Sequence, residues 1–215
     1  MSEGSRNGDR GASVGNVFDD VAARRLLTFH DTTIAEPQWA RRQTSGHPAG
    51  VWSWIEANHR YNALLWDEED LARRVDVAAA EIAANKRAID GYNQKRNDAI
   101  ERIDETLLAR LDRVSVEPGA WHNSETAGSI VDRLSILSLK ILHMGHQASR
   151  VDATDAQRAS WQERSERLVV QRSDLARCLD TLLAEAAAGR AFWRIYRQFK
   201  MYNDAELNPY LRGRR

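Results

Sequence analysis

The sequence predicts an all-α fold, a single-domain bundle of five to six helices with one long central helix. The composition is helix-forming, because only four prolines and twelve glycines occur in 215 residues. Apolar residues recur at steps of three and four through several long stretches, which is the periodicity of a helix face. No stretch shows the alternation of a convincing strand, so helices with short connections are expected throughout.

The composition also limits the class of protein. Lys plus Arg and Asp plus Glu each number 31, and this zero net charge disfavours a nucleic-acid binder. No apolar run approaches the ~18 residues that a membrane span needs, and the N-terminus is too polar for a secretion signal. A lone cysteine cannot form an internal disulfide, which suits a reducing compartment. We therefore expect a cytoplasmic protein in which Cys178 is a buried apolar residue.

The chain divides into a disordered tail over residues 1–16, one helical domain over 17–211 and a loose tail over 212–215. The six helices are expected at 17–30, 51–74, 77–113, about 124–144, 155–188 and 192–204. A short helical turn is expected near Trp39, in the connection that follows the first helix.

Residues with capping chemistry mark several of these boundaries. Asp76 is expected to cap the long third helix, and Asn123 or Ser124 the fourth, where Glu125 suits the positive end of the helix dipole. Gly189 is expected at the C-terminal cap of the fifth helix. Pro209 is expected to end regular structure.

The fourth helix has two different faces. One face is apolar and is expected in the core: Ile130, Leu134, Leu137, Ile141 and Met144. The other is polar and is expected to carry chemistry or salt bridges: Glu125, Ser129, Asp132, Lys140 and His143.

The third helix carries polar residues on its apolar stripe. Lys86, Asn93 and Arg96 interrupt positions that are otherwise occupied by isoleucine and leucine. A buried, unpaired charge costs several kcal/mol, so these groups need partners, water or an anionic ligand. They predict either a polar pocket inside the bundle or a stripe that rotates until the side chains reach solvent.

Two further segments combine charges in unusual ways. Residues 67–70 place four carboxylates at the end of the second helix, either facing inward or as a solvated turn paired with Arg73 and Arg74. Near the C-terminus, aromatic residues alternate with cations: Tyr196, Arg197, Phe199, Lys200 and Tyr202. This pattern indicates either a surface for a ring and a phosphate or a helix that neutralises the acidic turn.

Metal-binding patterns are weak. Glu56 and His59 form one Glu-x-x-His pair, whereas a di-iron bundle uses two such pairs and two further glutamates. Carboxylates on facing helices can also hold Mg²⁺, and the residues available for this are Glu68, Glu69, Asp70, Glu125 and Asp132. Mg²⁺ is therefore a candidate cofactor without a defined ligand set.

Three groups of segments carry a family resemblance. They are residues 65–74 (LWDEEDLARR), residues 86–98 (KRAIDGYNQKRND) with 123–137 (NSETAGSIVDRLSIL), and residues 196–204 (YRQFKMYND). Together they resemble a bacterial family of uncharacterised helical proteins, domain-of-unknown-function family 4254, from about Val17 to Leu211. The chain departs from the family pattern at Asp67, where we expect His, and at Ala127, where we expect Pro.

The resemblance implies a helical protein encoded near genes for polysaccharide synthesis and glycosyl transfer, without an established activity. Its segments coincide with the polar interruptions of the third helix and with the polar face of the fourth. We therefore expect a pocket that binds an anionic small molecule, phosphorylated or nucleotide-activated, as in an enzyme of glycan or secondary metabolism.

The expected site residues fall into two groups. Those expected to contact the ligand are Lys86, Asn93, Arg96, Asn97, Asn123, Glu125, Arg133, Tyr196, Arg197, Lys200 and Tyr202. Those expected to orient cations, bind a metal or transfer protons are His59, Glu69, Asp70, Asp132 and His143.

Two alternatives use the same residues differently. In the first, the polar residues form an internal network that fixes helix register, and the protein is a non-catalytic adaptor that docks on a glycosyltransferase or another protein. A homodimer belongs to the same class. In the second, the carboxylates and histidines serve a metal-dependent enzyme.

Overall fold

A computed structural model describes residues 17–42, 50–197 and 204–212 of the chain. These residues form an all-α bundle whose elements are α1 (Ala23–Ile34), α2 (Val51–Leu71), α3 (Ala79–Ala109), β1 (Trp121–His122), α4 (Ala127–Ala148), α5 (Asp155–Ala187), β2 (Ala191–Phe192) and α6 (Pro209–Arg212). Short 3₁₀ turns at Asp19–Val21 and Trp39–Arg41 flank α1, and the second is the turn expected near Trp39. The expected fold class is confirmed, with α3 as the long central helix.

Two helical hairpins make up the body of the bundle. α2 packs mainly against α3, and α4 packs mainly against α5. α4 also contacts α1, α2 and α3, so it is the helix shared by all other parts of the bundle. The turns that close the two hairpins, at 72–78 and 149–154, lie at the same end of the molecule because α2 and α4 run in the same direction.

The core follows the predicted apolar stripes at one end of the bundle. Fully or almost fully buried side chains come from all five long helices, and they include Leu26, Ile55, Ile103, Leu134 and Leu179. In α5, every buried side chain lies between Leu175 and Ala186. The first half of this helix therefore contacts the bundle through one side only.

Two side chains of α5 fix α1. Asp180 accepts a hydrogen bond from the backbone N–H of Ala23 (2.8 Å), which supplies the cap that Ala22 lacks. Arg172 donates to Ser138 Oγ (3.0 Å) and to Asp31 Oδ1 (2.5 Å), so it joins α5 to α4 and α1. The first helix thus begins at Ala23 rather than at the expected Val17. At Ala23, a carboxylate from another helix accepts a hydrogen bond from its first turn.

The expected helix at 192–204 is wrong where residues are described. Ala191 and Phe192 form a parallel two-stranded ribbon with Trp121 and His122, and residues 193–197 have no regular structure. The N–H of Asn123 donates to Phe192 O (2.9 Å). Backbone pairing and the burial of Trp193 override the amphipathic pattern here. Pro209 begins a short helix instead of ending regular structure.

Two expected N-caps are also wrong, whereas the expected C-cap is confirmed. α3 starts after Ala78 without a side-chain cap, and Asp76 lies in the turn before it. The α4 cap is Thr126, whose hydroxyl accepts from the N–H of Ser129 (3.1 Å). At the end of α5, Gly189 adopts φ +77°, and the N–H of Arg190 donates to Glu185 O (2.9 Å), as in a Schellman motif.

Candidate functional site

A buried polar cluster joins α2, α3 and α4. Its centre is Asp132 on α4, whose Oδ1 accepts hydrogen bonds from Asn58 Nδ2 (2.8 Å) and Asn62 Nδ2 (2.9 Å) on α2. Arg96 Nε on α3 lies 3.9 Å from the same oxygen, at ion-pair distance but too far for a hydrogen bond. The cluster therefore satisfies one buried carboxylate with groups from two other helices.

The cluster continues to Ser135, one turn further along α4. Ser135 Oγ lies 3.0 Å from Asn62 Nδ2, which donates to it, and 2.7 Å from His59 Nδ1. The hydroxyl then donates to His59 Nδ1, and His59 Nε2–H donates to the backbone carbonyl of His30 (3.3 Å). This assignment gives His59 a neutral imidazole with its proton on Nε2.

His30 on α1 stacks on His59, with ring centroids 4.3 Å apart. Both rings are completely buried, and neither ring nitrogen of His30 has a hydrogen-bond partner within the described part of the chain. Burial lowers the pKa of His59 to about 3. Burial, with further contributions from His59 and Arg172, holds the pKa of His30 well below 6.5. Both imidazoles are therefore neutral at pH 7.

Three expected site residues meet in this cluster: His59, Arg96 and Asp132. Asn58, Asn62 and Ser135 complete it, and they were not among the expected site residues. The sequence did contain a signal for two of them, because Asn62 lies on the same stripe of α2 as His59, and Ser135 follows Asp132 by three positions. Direct hydrogen bonds join Asp132 and Ser135 to the side chains of α2. Among the described residues, Arg96 Nε and both ring nitrogens of His30 are buried without a hydrogen-bond partner.

Lys86 does not extend the cluster. Its side chain is exposed, and its ammonium lies 3.7 Å from Glu69 Oε2 in a surface pair between α3 and α2. Asn93, which lies between Lys86 and Arg96 on α3, is half-buried. The stripe of α3 therefore reaches the surface at Lys86, and only Arg96 of the three expected polar residues reaches Asp132.

A second group of expected site residues lines an open groove of about 1480 Å³ along α4. α5 forms one wall, and Trp66 and Asp70 at the end of α2 close one end. Five expected residues line this groove: Asp70, Asn123, Glu125, Arg133 and His143. The groove therefore collects residues from three separate stretches of the sequence.

The floor of the groove is apolar and its walls are charged. Apolar side chains on the floor come from both helices of the hairpin, and they are Ile130, Met144, Leu168 and Leu175. The charged lining residues are Arg133, Lys140, Arg164, Arg167, Asp70, Glu125, Glu163, Glu166 and Asp174. With both signs present in similar numbers, the groove has no strong field of one sign.

Most of these charges are paired locally. Arg133 Nη1 donates to both carboxylate oxygens of Glu125 (2.8 and 2.7 Å). Arg167 pairs with Glu163 at 2.5 Å along α5. Within the described residues, Lys140 and Arg164 are lining cations that form no ion pair.

His143 stands at the α2 end of the groove. Its ring stacks on Trp66 with centroids 4.3 Å apart and an interplanar angle of 12°. Partial burial and the neighbouring His146 lower the pKa of His143, while Asp70 and Asp67 oppose that shift. A neutral imidazole in a groove wall can accept a proton from a bound group.

Cys178 also lines the groove, and its side chain is exposed. The expectation that it is buried is therefore wrong. The residue precedes the completely buried Leu179 on α5. Successive residues of a helix point about 100° apart, so Cys178 faces away from the core.

The remaining expected residues lie elsewhere. Asn97 and Tyr196 line a small pocket of about 100 Å³ between α3 and the segment after β2. Arg197 donates to Glu105 (2.9 Å) on α3. Lys200 and Tyr202 lie outside the described residues. Arg197 thus meets α3 rather than the acidic turn, where Asp67 instead pairs with Arg41 (3.1 Å).

Asp104 is a buried acid that the sequence did not single out. It accepts from the N–H of Gly128 (2.8 Å) in the first turn of α4. Burial raises its pKa to about 6, although hydrogen bonds, including that from Gly128, act in the opposite direction. Gly128 is required by this close approach, because an added Cβ would lie 2.6 Å from Ile100 O and 2.7 Å from Asp104 Oδ2.

The Glu56 and His59 pair, considered above as a metal-binding pattern, makes contacts within the bundle. Glu56 pairs with Arg60 (2.8 Å), and Arg60 also donates to the backbone carbonyls of Trp39, Ala40 and Arg42. Among residues 17–42, 50–197 and 204–212, no three His, Cys, Asp or Glu side chains are grouped so that they could hold a metal ion. In the same ranges, no helix is both long and apolar enough to cross a membrane.

Comparison with known proteins identifies a family. The model of a family described as a protein of unknown function (DUF4254) matches residues 52–195, from the second position of α2 to the segment after β2. No curated protein and no solved structure matches the chain. The match covers both hairpins, the buried cluster and the groove, and the chain therefore belongs to the DUF4254 family.

Proposed function

We propose that the protein is a helical docking protein, in which the groove along α4 and α5 receives an amphipathic helix of a protein partner. The observation that carries the proposal is the form of the groove. Its volume of about 1480 Å³ exceeds the roughly 300–1,000 Å³ of typical small-molecule pockets. It is open on one side and follows the length of a helical hairpin.

The lining of the groove supports the same function. An amphipathic helix docks by laying its apolar face on an apolar floor, while its polar face stays in water. Met144, Leu168 and Leu175 offer such a floor, and the charges of both signs on the walls can contact the flanks of the helix. An open groove suits this ligand because half of the bound helix needs no cover.

The buried cluster fits a supporting role in this function. Asp132, Asn62 and Ser135 fix the position of α4 relative to α2 through directional hydrogen bonds. α4 provides the floor of the groove, so a fixed α4 keeps the groove formed before a partner arrives. The proposal assigns no reaction to the cluster or to the groove.

Photo-crosslinking in cells tests the proposal. A photoreactive phenylalanine is placed at Val170, which is 61% exposed in the groove wall, and at Val151, which is 98% exposed in the hairpin turn, as a control. Docking predicts one discrete adduct from Val170, whose crosslinked peptide maps to an amphipathic helix. The same products from both positions, or no adduct from Val170, would contradict it.

A second function has its own support. Lys140 and Arg164 lack ion-pair partners within the described residues, and His143 lies one turn from Lys140 on the same helix face. These groups suit an anionic small molecule, phosphorylated or nucleotide-activated, as the sequence led us to expect. Mg²⁺ bound with such a ligand would have Asp70 nearby in the groove.

A thermal-shift panel of sugar phosphates, nucleotides and sugar nucleotides, with and without Mg²⁺, tests this second function. A ligand at about 100 times its Kd adds about 2.7 kcal/mol to the stability of the folded state. The shift should disappear in Lys140→Gln and persist in Lys86→Gln, which removes an exposed lysine outside the groove. A flat panel, or equal loss in both variants, leaves helix docking as the function of the groove.

A further inference from the structure

The groove-side face of α5 suggests which partner fits. Six exposed residues lie on one side of this helix, at spacings of three and four, and they are Glu163, Glu166, Arg167, Val170, Asp174 and Arg177. All of them except Arg177 line the wall of the groove described above. The first half of α5 contacts the bundle through its opposite side only, so this face has no cover within the described residues.

The charges of this face are arranged around Val170 so that, in an antiparallel pair of α5 helices, acidic residues of one helix face basic residues of the other. Arg167 precedes Val170 by three positions, and Asp174 follows it by four. On the other flank, Glu166 precedes Val170 by four positions, and Arg177 follows it by seven. Acid and base therefore exchange places when the helix is turned end for end.

Antiparallel helices related by a two-fold axis bring like flanks together. With the axis at Val170, Arg167 of one copy lies opposite Asp174 of the second copy, and Glu166 lies nearest to Arg177 of the second copy. Each contact occurs twice, because the interface is isologous. The two Val170 side chains meet at the axis.

The cost of forming these contacts is low. Within one copy, Arg167 pairs with Glu163 and Arg177 pairs with Asp174 along the surface of α5. Exposed pairs of this kind contribute little to stability, so they can be shared with or exchanged for contacts across an interface. The net charge of the chain is zero, so two copies do not repel each other overall.

We propose that the groove-side face of α5 is a homodimer interface, in which two copies of the chain pair their α5 helices antiparallel around Val170. The inference rests on the proposed docking function and names a second copy as the partner of that site. It also predicts that association weakens as ionic strength rises, because most of its contacts are between opposite charges.

A charge-exchange experiment tests the inference. Sedimentation equilibrium measures the dimer Kd of the wild type, of Arg167→Asp, of Asp174→Arg and of the double variant. Each single exchange places like charges opposite each other twice and should raise Kd about tenfold or more. The double exchange restores opposite charges and should return Kd close to the wild-type value. Arg167 and Asp174 are both exposed, so circular dichroism should be the same for every variant.

Each outcome has a defined meaning. A wild type that stays monomeric at every accessible concentration overturns the homodimer, as does a double variant that associates no better than the single variants. A monomer whose Val170 crosslinks to a helix of another protein loses the homodimer but keeps the docking function. A monomer without any crosslink loses both.

Discussion

The stacked pair of buried histidines predicts a steep loss of stability in mild acid. His30 and His59 must stay neutral in the folded protein, whereas both bind protons near pH 6.5 when the chain is unfolded. Between that pH and the lowered pKa values, the unfolded state binds more protons, so the free energy of unfolding falls as the pH falls. The contribution of the pair is complete above pH 6.5 and is lost below it.

The magnitude follows from the shifts. About 1.4 kcal/mol is lost for each pH unit between 6.5 and a lowered pKa, so His59, with a pKa of about 3, costs about 3 kcal/mol at pH 4.5, and His30 adds to this loss. Asp104 acts in the opposite direction, because its pKa is raised from 3.8 to about 6 and its protonation favours the folded state. Over the same interval it returns about 2 kcal/mol, so the combined effect of mild acid is still a loss of stability.

Urea unfolding at pH 7.5 and pH 4.5 measures this difference. His30→Phe keeps a ring of similar shape and removes one of the two groups that take up a proton on unfolding, so the loss should be clearly smaller than in the wild type. His146→Gln, on the exposed end of α4, is the matched control and should retain the wild-type difference. An equal loss in His30→Phe and wild type would refute the assignment of the acid sensitivity to the pair.

Three further predictions concern the packing of α3 and α4, and urea unfolding at pH 7.5 measures each of them. Asp132→Ala removes the acceptor shared by two asparagines and the partner of Arg96, so it should cost about 3–5 kcal/mol; a cost below about 1 kcal/mol would mean that the cluster is not structural. Gly128→Ala places a methyl group 2.6 Å from the carbonyl oxygen of Ile100, so it should cost roughly 1–3 kcal/mol; a neutral effect would show that α3 and α4 do not approach so closely. Lys86→Ala should change stability by less than about 0.5 kcal/mol, because its pair with Glu69 is exposed; a large loss would return Lys86 to the interior.

The sequence predicted the helices well because each apolar stripe is a local property. α5 begins at Asp155 and ends two residues before Gly189, as expected from the periodicity and from the glycine. It predicted the ends of α3 and α4 less well. The true cap of α4 is Thr126, and choosing it over Asn123 or Ser124 requires knowing which residue adopts the extended backbone before the first turn.

Side-chain direction was the second limit. A stripe shows which residues share a face, but it does not show how far along the helix a neighbour continues. Lys86 and Arg96 have the same place on the stripe of α3, yet Lys86 pairs with Glu69 at the surface and Arg96 lies 3.9 Å from the buried Asp132. The groove was outside the reach of the sequence for a similar reason, because its walls depend on how α5 lies against α4.

The C-terminal segment shows how tertiary contacts override a local pattern. Aromatic and basic residues after Phe192 have the spacing of an amphipathic helix, yet Phe192 pairs with His122 in a ribbon. The carbonyl group of Arg190, directly before that strand, accepts a hydrogen bond from the backbone N–H of Trp121. Trp121 lies 69 positions earlier in the chain. Single-sequence periodicity contains no information about a partner at that distance.

Spin labelling of Cys178 tests most directly the claim that the groove-side face of α5 is a docking surface for a second copy. Cys178 is the only cysteine in the chain and lies exposed in the groove, so the wild-type protein can be labelled without mutation. Antiparallel α5 helices paired around Val170 would place the two labelled positions about 25 Å apart, from a rise of about 1.5 Å per residue and an interaxial distance of about 8–10 Å. A distance distribution centred near that value, which disappears in Arg167→Asp and returns in the double exchange, is the predicted result. A distance of about 10 Å would indicate parallel pairing, and no dipolar coupling at any concentration would indicate a monomer; both results contradict the proposed interface.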